Sequence, residues 1–401
     1  MSEVVDLALA RIERAGPVLR AASSTRVLDA LEAALAAMSD PSSPVGREAY
    51  GSIAERSGLS ASGAAWALET TLVETRGEKL REALDHMARA TAGYRGTPVR
   101  SHAIVLAGNV FTSCVRPMVW SLLARVPMIV KLASGDEGLA ELFGIALTTC
   151  DPELGEAIAI VHGGGSSAAI YGELAARVDL VSAFGGDHAI GEMRGKTSAT
   201  TDFVAHGHGL GAAVVLRDAL SSDVDGLCAR LALDVAAYDQ RGCLSPQVVF
   251  VEKGGELGPR DLADRLATHG LAPLARSMPR GALPVQVGAQ QVQWRGLASS
   301  LHELFEGDGY AVSYEGPSGL RPTPGYRNVA VHAIESAAEL ATRLRPLGAH
   351  LKVLGVAGDE ARLALPSPLS PRICPLGQMQ RPPLLAATDG LPPWQGLVRL
   401  G

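Results

Sequence analysis

Apolar positions recur every three or four residues through the first quarter of the chain, and then the period changes. "STRVLDALEAALAAM" (24–38) and "SASGAAWALETTLVETRGEKLREALDHM" (60–87) carry the spacing of amphipathic helices, the second opening on Ser60 as an N-cap. "PSSPVG" (41–46) separates them. From His102 onward, short apolar runs alternate with helical stretches. "HAIVLAG", "PMIVKL", "EAIAIVHG" and "DLVSAFG" read as strands; "TSCVRPMVWSLLAR", "DEGLAELFGIALTT", "SSAAIYGELAARV" and "DHAIGEMRG" read as the helices between them. That alternation predicts a parallel sheet covered on both faces, which binds ligands at the carboxyl ends of its strands. Those ends are "AGN" (107–109), "KLASGD" (131–136), "HGGGSS" (162–167) and "FGGDH" (184–188). Four polar, mostly glycine-bearing ends in series suit a nucleotide, although ordinary strand-to-helix turns use the same residues. A second α/β unit follows, with "PQVVFVEKG", "PRDLADRLATHG" and "NVAVHAIESAAELATRLRPLGAHLKVLGV". The pattern divides the chain into a helical region 1–100, a sheet domain 101–237, a second domain 238–371 and a Pro- and Gly-rich tail 372–401.

Composition narrows the function. The 401 residues are 47% hydrophobic, enough for more than one core. A net charge of −6 leaves no basic surplus for nucleic acid. Five scattered cysteines without metal-type pairs, no secretory signal, and no apolar run of membrane-spanning length predict a cytoplasmic protein without disulfides or structural metal.

One cysteine stands apart. "YDQRGCLSPQ" (238–247) places Cys243 behind Gly242, where a helical run ends and the strand "VVFVE" begins. Glycine lets the backbone turn sharply and approach a substrate. A thiolate there could attack an acyl carbonyl, and the competing reading is a small buried hydrophobe. That second reading is the one expected for Cys114, Cys150 and Cys228.

Taken in order, "AGNVF", "PMIVKLASGD", "VSAFGGDHAIG", "HGHGLGAAVV", "DQRGCLSPQVVFV" and "CPLGQMQRPPLLAATDG" resemble segments of the aldehyde dehydrogenase superfamily. Within it they are most similar to the acyl-CoA reductases typified by the fatty-acid reductase subunit of bacterial bioluminescence. The resemblance covers roughly 101–401 and is loose in the helical first quarter. It implies an α/β, aldehyde dehydrogenase-like fold, with a Rossmann-type parallel-sheet cofactor domain and a second α/β catalytic domain. It also implies Cys243 as nucleophile, with an oxyanion hole from the Asn109 amide and the Cys243 backbone N–H. Asn109 has a competing reading as a plain turn residue, and Lys131 as a solvated strand end.

For the cofactor the resemblance implies Lys131 and Ser134 at the adenosine ribose, and Gly185, Gly186 and Asp187 ahead of a helix facing the pyrophosphate. NAD-preferring relatives often carry a glutamate at the place of Ser134, so NADPH is expected over NADH, with Asp136 close enough to oppose that preference. Two departures matter. Hydrolytic members place a glutamate base where this chain reads "HGHGLG", with His208 within a residue of its position as an acid or base. "PGYRNVAV" stands in place of a ribose-binding glutamate. Without a base for water, the implied reaction is reduction of an acyl thioester to an aldehyde through an acyl-cysteine. The rivals are an oxidising aldehyde dehydrogenase and a non-catalytic relative that binds a thioester or partner enzyme through its tail. The resemblance further implies an acyl-CoA or acyl-carrier substrate, a homo-oligomer, and an acyl-activating partner enzyme as one source of acyl groups.

Overall fold

In the computed structural model the described residues are 2–94, 96–135, 138–162, 167–221, 223–365 and 369–401. They form two compact units. Residues 1–57, 68–208 and 383–401 make the first, and 58–67 and 209–382 the second.

The first unit is built on helices α1 (Ser2–Ala21), α2 (Ser24–Ser39) and α3 (Glu78–Thr91), followed by a βα alternation. Ser23 caps α2 by accepting from the Arg26 amide at 3.1 Å. The alternation runs β1 (His102–Val105), α4 (Val115–Leu123), β2 (Met128–Lys131), α5 (Leu139–Cys150), β3 (Ile158–Val161), α6 (Ser167–Ala175), β4 (Leu180–Phe184), α7 (Asp187–Lys196) and β5 (Asp202–His206). The five strands pair in parallel in the order β3-β2-β1-β4-β5. The residues of β1 to β4 are almost continuously buried, as strands covered on both faces must be, whereas the edge strand β5 is mostly part-exposed. Val5, Leu9 and Ile12 of α1 and Ile170 and Leu174 of α6 pack on Ala103, Val105, Ile129, Val161 and Val181. The order reverses between β1 and β4, so their carboxyl ends flank the crevice where such sheets take a ligand. His102 is the polar exception inside this sheet: its ring bonds Ser121 Oγ at 2.8 Å and Ser182 Oγ at 2.9 Å, and burial pushes its pKa down to about 3. An antiparallel ribbon of Gly96–Pro98 and Val398–Leu400 ties the chain's end into this unit.

The second unit holds a seven-stranded sheet. Its strands are β6 (Leu210–Val215), β7 (Pro246–Glu252), β8 (Glu303–Gly307), β9 (Tyr310–Gly316), β10 (Asn328–Ile334), β11 (Leu351–Ala357) and β12 (Arg372–Pro375). They lie in the order β12-β11-β6-β7-β10-β9-β8, parallel except for the edge pair β8 and β9. Helix α8 (Val224–Ala236) covers one face, setting Leu227, Leu231 and Val235 against Val249, Val251, Val329 and Val331. Leu340 and Leu344 cover the other, against Val214, Phe250 and Leu354.

The expected α/β architecture forms, but the chain is divided differently from the boundaries drawn on the sequence. Residues 209–237 belong with the cysteine-bearing unit, because β6 pairs with both β7 and β11. The first helices pack on the first sheet rather than standing as a region of their own. Only the tail from Pro383 joins the first unit, and Arg372–Pro375 is an edge strand of the second. Among the described residues, no helix is long and apolar enough to cross a membrane.

Candidate active site

Helix α8 stops at Ala237, and the chain then takes three consecutive non-glycine residues through left-handed backbone: Tyr238 at φ 53°, Asp239 at 51° and Gln240 at 60°. Each is disfavoured for a side chain with a Cβ, and such a run persists only where its surroundings over-determine it. A buried polar lattice does this. Arg327 and Asp239, each 2% exposed, are paired at 2.7 Å, with a second contact from Arg327 Nε at 3.0 Å. Arg327 also donates to the Met278 and Pro279 carbonyls, and Asp239 accepts from the Gly281 amide at 2.9 Å. Gln240 bridges two strands: its Nε2 donates to the Pro246 and Asn328 carbonyls, and its Oε1 accepts from the Asn328 amide. The segment answering it is itself left-handed at Gly325, Tyr326 and Arg327. Thus "PGYRN" pairs with the turn that carries the cysteine.

Cys243 follows in an exposed turn closed by Ser245 N–H donating to the Gly242 carbonyl at 3.2 Å. Ser245 O accepts from Gly211 N, and a Cβ at Gly211 would lie 2.7 Å from the Leu244 carbonyl. Only glycine lets β6 approach the turn so closely. From the far side, Gln380 Nε2 donates to Ser245 Oγ at 3.1 Å and to the Asp234 carbonyl at 3.2 Å. The Asp234 carboxylate accepts from the Gly377 and Met379 amides, and burial raises its pKa to about 7. The "CPLGQMQ" segment therefore packs onto the cysteine turn through buried hydrogen bonds.

The remaining cysteines differ from it. Cys114, Cys228 and Cys374 are buried, and burial pushes the Cys228 thiol up to about 12 and the Cys374 thiol up to about 11. Cys150 departs from expectation: it is exposed, because it ends α5 at the surface instead of facing the core. Burial of its thiol still raises its pKa, as expected of a resting thiol.

In the first unit the sequence-predicted residues lie along the carboxyl edge of the sheet. Asn109 is exposed in the turn after β1, leading into the 3-10 turn Phe111–Cys114 and α4. Lys131 ends β2 and is 5% exposed, which lowers its pKa. Its Nζ donates to the Leu132 carbonyl at 3.2 Å, and no carboxylate pairs with it among the described residues. A buried ammonium with one carbonyl partner has donors to spare for the hydroxyls or phosphates of a dinucleotide, and on this observation the edge fits that cofactor. Ser134 is exposed in the following turn, and Asp136 lies outside the described residues. Gly185 and Gly186 lead into α7, whose first turn receives no side-chain cap. Asp187 opens that helix and turns its carboxylate onto the His208 amide at 3.0 Å, so only main-chain N–H groups there are suited to an anion. His208 itself is exposed.

Sequence reasoning passed over the neighbouring histidine. His206 ends β5, stacks on Phe184 with ring centroids 4.3 Å apart, and bonds Asp389 Oδ2 through Nδ1 at 3.0 Å. Asp389 comes from the tail, 183 positions away, and nothing local in the sequence announces that pairing.

A family model described as acyl-CoA reductase (LuxC) matches residues 67–400. Among solved structures, aldehyde dehydrogenase 21 of Physcomitrella patens, in complex with the reaction product succinate, is 13% identical, with 99% of this chain and 89% of that chain covered and a TM-score of 0.74. An NAD-dependent aldehyde dehydrogenase of Sinorhizobium meliloti is 16% identical, covering 100% and 86%, with a TM-score of 0.71. A variant of aldehyde dehydrogenase C of Pseudomonas syringae, in complex with NAD+ and octanal, is 14% identical, covering 89% and 77%, with a TM-score of 0.67. The fold is therefore aldehyde dehydrogenase-like. No curated protein matches the chain by sequence.

Proposed function

Because this chain belongs to the acyl-CoA reductase (LuxC) family, oxidoreductases of acyl and aldehyde chemistry, we propose that it reduces an acyl thioester to an aldehyde through an acyl-Cys243 intermediate. The observation that carries the reading is the cysteine turn: an exposed thiol on a strained, buried scaffold that spends three left-handed residues to present it. The Cys243 sulfur attacks the thioester carbon, the carbonyl oxygen takes up negative charge, and the thiol of the donor departs. The Cys243 backbone N–H and the Asn109 amide are assigned to that oxyanion.

A nicotinamide cofactor, NADPH in preference to NADH, supplies hydride to the acyl carbon when bound. The NAD-dependent enzyme and the NAD+ complex among the structural neighbours support that class of cofactor. Lys131, buried at the end of β2, would hold its adenosine ribose, Ser134 would read a 2′-phosphate, and the main-chain N–H groups at the uncapped start of α7 after Gly185 and Gly186 would take the pyrophosphate. The 206–209 segment, "HGHG", has no carboxylate to activate water, which favours hydride over hydrolysis as the fate of the acyl group.

The test is intact-mass analysis after mixing with acyl-CoAs of graded length, without cofactor. The protein should gain one acyl group, mapped to Cys243, and release aldehyde when NADPH is added. Cys243→Ala should lose both steps while Cys150→Ala keeps them. Acylation at another residue, or near-normal turnover by Cys243→Ala, refutes the reading.

A further inference from the structure

Among the described residues, four arginines of the second unit lie over aromatic rings, and three of them are held by an acceptor. Arg260 pairs with Glu303 and Arg321 with Glu315, while Arg343 donates to the Pro317 and Ser318 carbonyls. Arg381 differs. Its guanidinium lies over the Trp66 ring, 5.4 Å from the centroid, and makes no hydrogen bond or ion pair among the described residues. Its Nε is buried without a partner, while the residue as a whole is part-exposed. A charged group drawn out of water in this way is costly unless an acceptor is supplied. A planar guanidinium takes a phosphate through two donors at once.

The same arginine is built onto the cysteine turn from both ends. The residue before it, Gln380, donates through Nε2 to Ser245 Oγ at 3.1 Å, two positions past Cys243. The ring under it, Trp66, meets Tyr238 edge-on at 6.0 Å and 78°, and Tyr238 is the first left-handed residue ahead of the turn. Tyr238 Oη donates to the Ala67 carbonyl at 3.4 Å, and the start of that segment is tied at Gly58, whose carbonyl accepts from the Ala282 amide at 2.9 Å. Residues 58–67, 238–245 and 380–381 all belong to the second unit. Through the Gln380–Ser245 contact, the path between the Arg381 and Cys243 Cα atoms is no more than roughly 22 Å of backbone and side chain. The extended arm of phosphopantetheine spans a comparable length between its sulfur and its phosphate.

We infer that Arg381, held over Trp66, reads the phosphate at the end of the donor's pantetheine arm. The protein is thereby selective for thioesters of phosphopantetheine, the group that coenzyme A and carrier proteins share. The inference rests on the proposed thioester reading and names the half of the substrate that leaves. Stacking on Trp66 restricts a long side chain before the donor arrives, so less rotamer freedom is lost on binding. Arg241 adds a second positive charge to the turn, with its Nε donating to the Tyr238 carbonyl at 3.2 Å. The carboxylates of the turn's scaffold are already engaged, Asp239 with Arg327 and Asp234 with the Gly377 and Met379 amides.

The experiment needs no cofactor. Single-turnover acylation, at donor concentrations below saturation, is followed by intact mass with octanoyl-CoA, octanoyl-4′-phosphopantetheine and octanoyl-pantetheine. The first two donors should acylate the native protein at similar rates, and the third, which lacks the phosphate, about 10- to 100-fold more slowly. In Arg381→Met that ratio should fall close to one. Arg381→Lys should keep part of it, since a point charge remains without the fork, and Trp66→Leu should lie between Arg381→Met and the native protein. Reaction with octanoyl-pantetheine shows in each variant that the turn is folded, and Arg381→Gln is read in the same way should Arg381→Met fail to fold. Equal native rates from all three donors, or a ratio unmoved in the arginine variants, overturns this inference and leaves the thioester reading intact. A native protein that takes octanoyl-CoA far faster than the phosphopantetheine thioester places recognition on the nucleotide and overturns it as well. A native protein that takes no acyl group from any donor overturns both.

Discussion

The edge of the first sheet and the cysteine turn of the second present chemistry by opposite means. Along the first, Asn109 and Ser134 sit in exposed turns and Gly186 and Asp187 at the exposed start of α7, and their places follow from where the strands end. At the second, the functional side chain is exposed but its support is buried, and the backbone leading to it is left-handed at Tyr238, Asp239 and Gln240. An edge built from turns tolerates variation residue by residue, since each loop depends on its own strand. A strained turn depends on every member of its lattice together. Changes at the cysteine turn should therefore have the larger effects, and the predictions below test that ordering.

The largest is expected at Arg327. Arg327→Met leaves the Asp239 carboxylate buried with the Gly281 amide as its remaining described partner, a loss on the order of 3 to 5 kcal/mol. Denaturant unfolding should register it, and acylation of Cys243 by mass should fall further than the folded fraction does, because the turn relaxes. Replacing both partners, as Arg327→Met with Asp239→Leu, should recover stability without recovering acylation. If the folded single variant acylates at the native rate, the lattice supports the fold and not the nucleophile.

That contrast also explains what could be read from the sequence. The strands of the first sheet, the lysine at the end of "PMIVK" and the cysteine behind a glycine are local signals, with period, turn residues and spacing all within a dozen positions. The Asp239–Arg327 pair spans 88 positions and His206–Asp389 spans 183, so neither leaves a periodic trace. Left-handed tyrosine, aspartate and glutamine are equally silent, since their backbone state is imposed by tertiary contacts. The boundary at 208/209 was obscured because "HGHGLGAAVV" ends one sheet's strand and begins the other's within four residues.

A smaller effect should appear on acidification, and its origin lies in the first unit. Folded His102 is held neutral with a pKa of about 3 against 6.5 for an unburied histidine. Between those values only the unfolded chain binds the proton, so stability contributed by this site falls as pH drops from 6.5 toward 3. The slope is on the order of 1.4 kcal/mol per pH unit. His102→Gln, which can still bond one of the two serines, should flatten that part of the stability profile measured by denaturation at stepped pH. An unchanged slope would assign the acid sensitivity to other groups.

The smallest effect is expected at the most exposed part of the edge, Ser134. A carboxylate at this turn repels the 2′-phosphate of NADP, whereas a hydroxyl can donate to it and the buried Lys131 ammonium can pair with its charge. The native protein should favour NADPH by kcat/KM, and Ser134→Glu should shift the ratio toward NADH. One charge in a solvated turn is worth about 1 to 3 kcal/mol, or roughly 5- to 150-fold in preference. Since Ser134 is exposed in a turn, this change should leave both the melting temperature and the cofactor-free acylation of Cys243 where they were. A variant that lost acylation along with its cofactor preference would erase the distinction between an edge of independent turns and a turn held by a lattice.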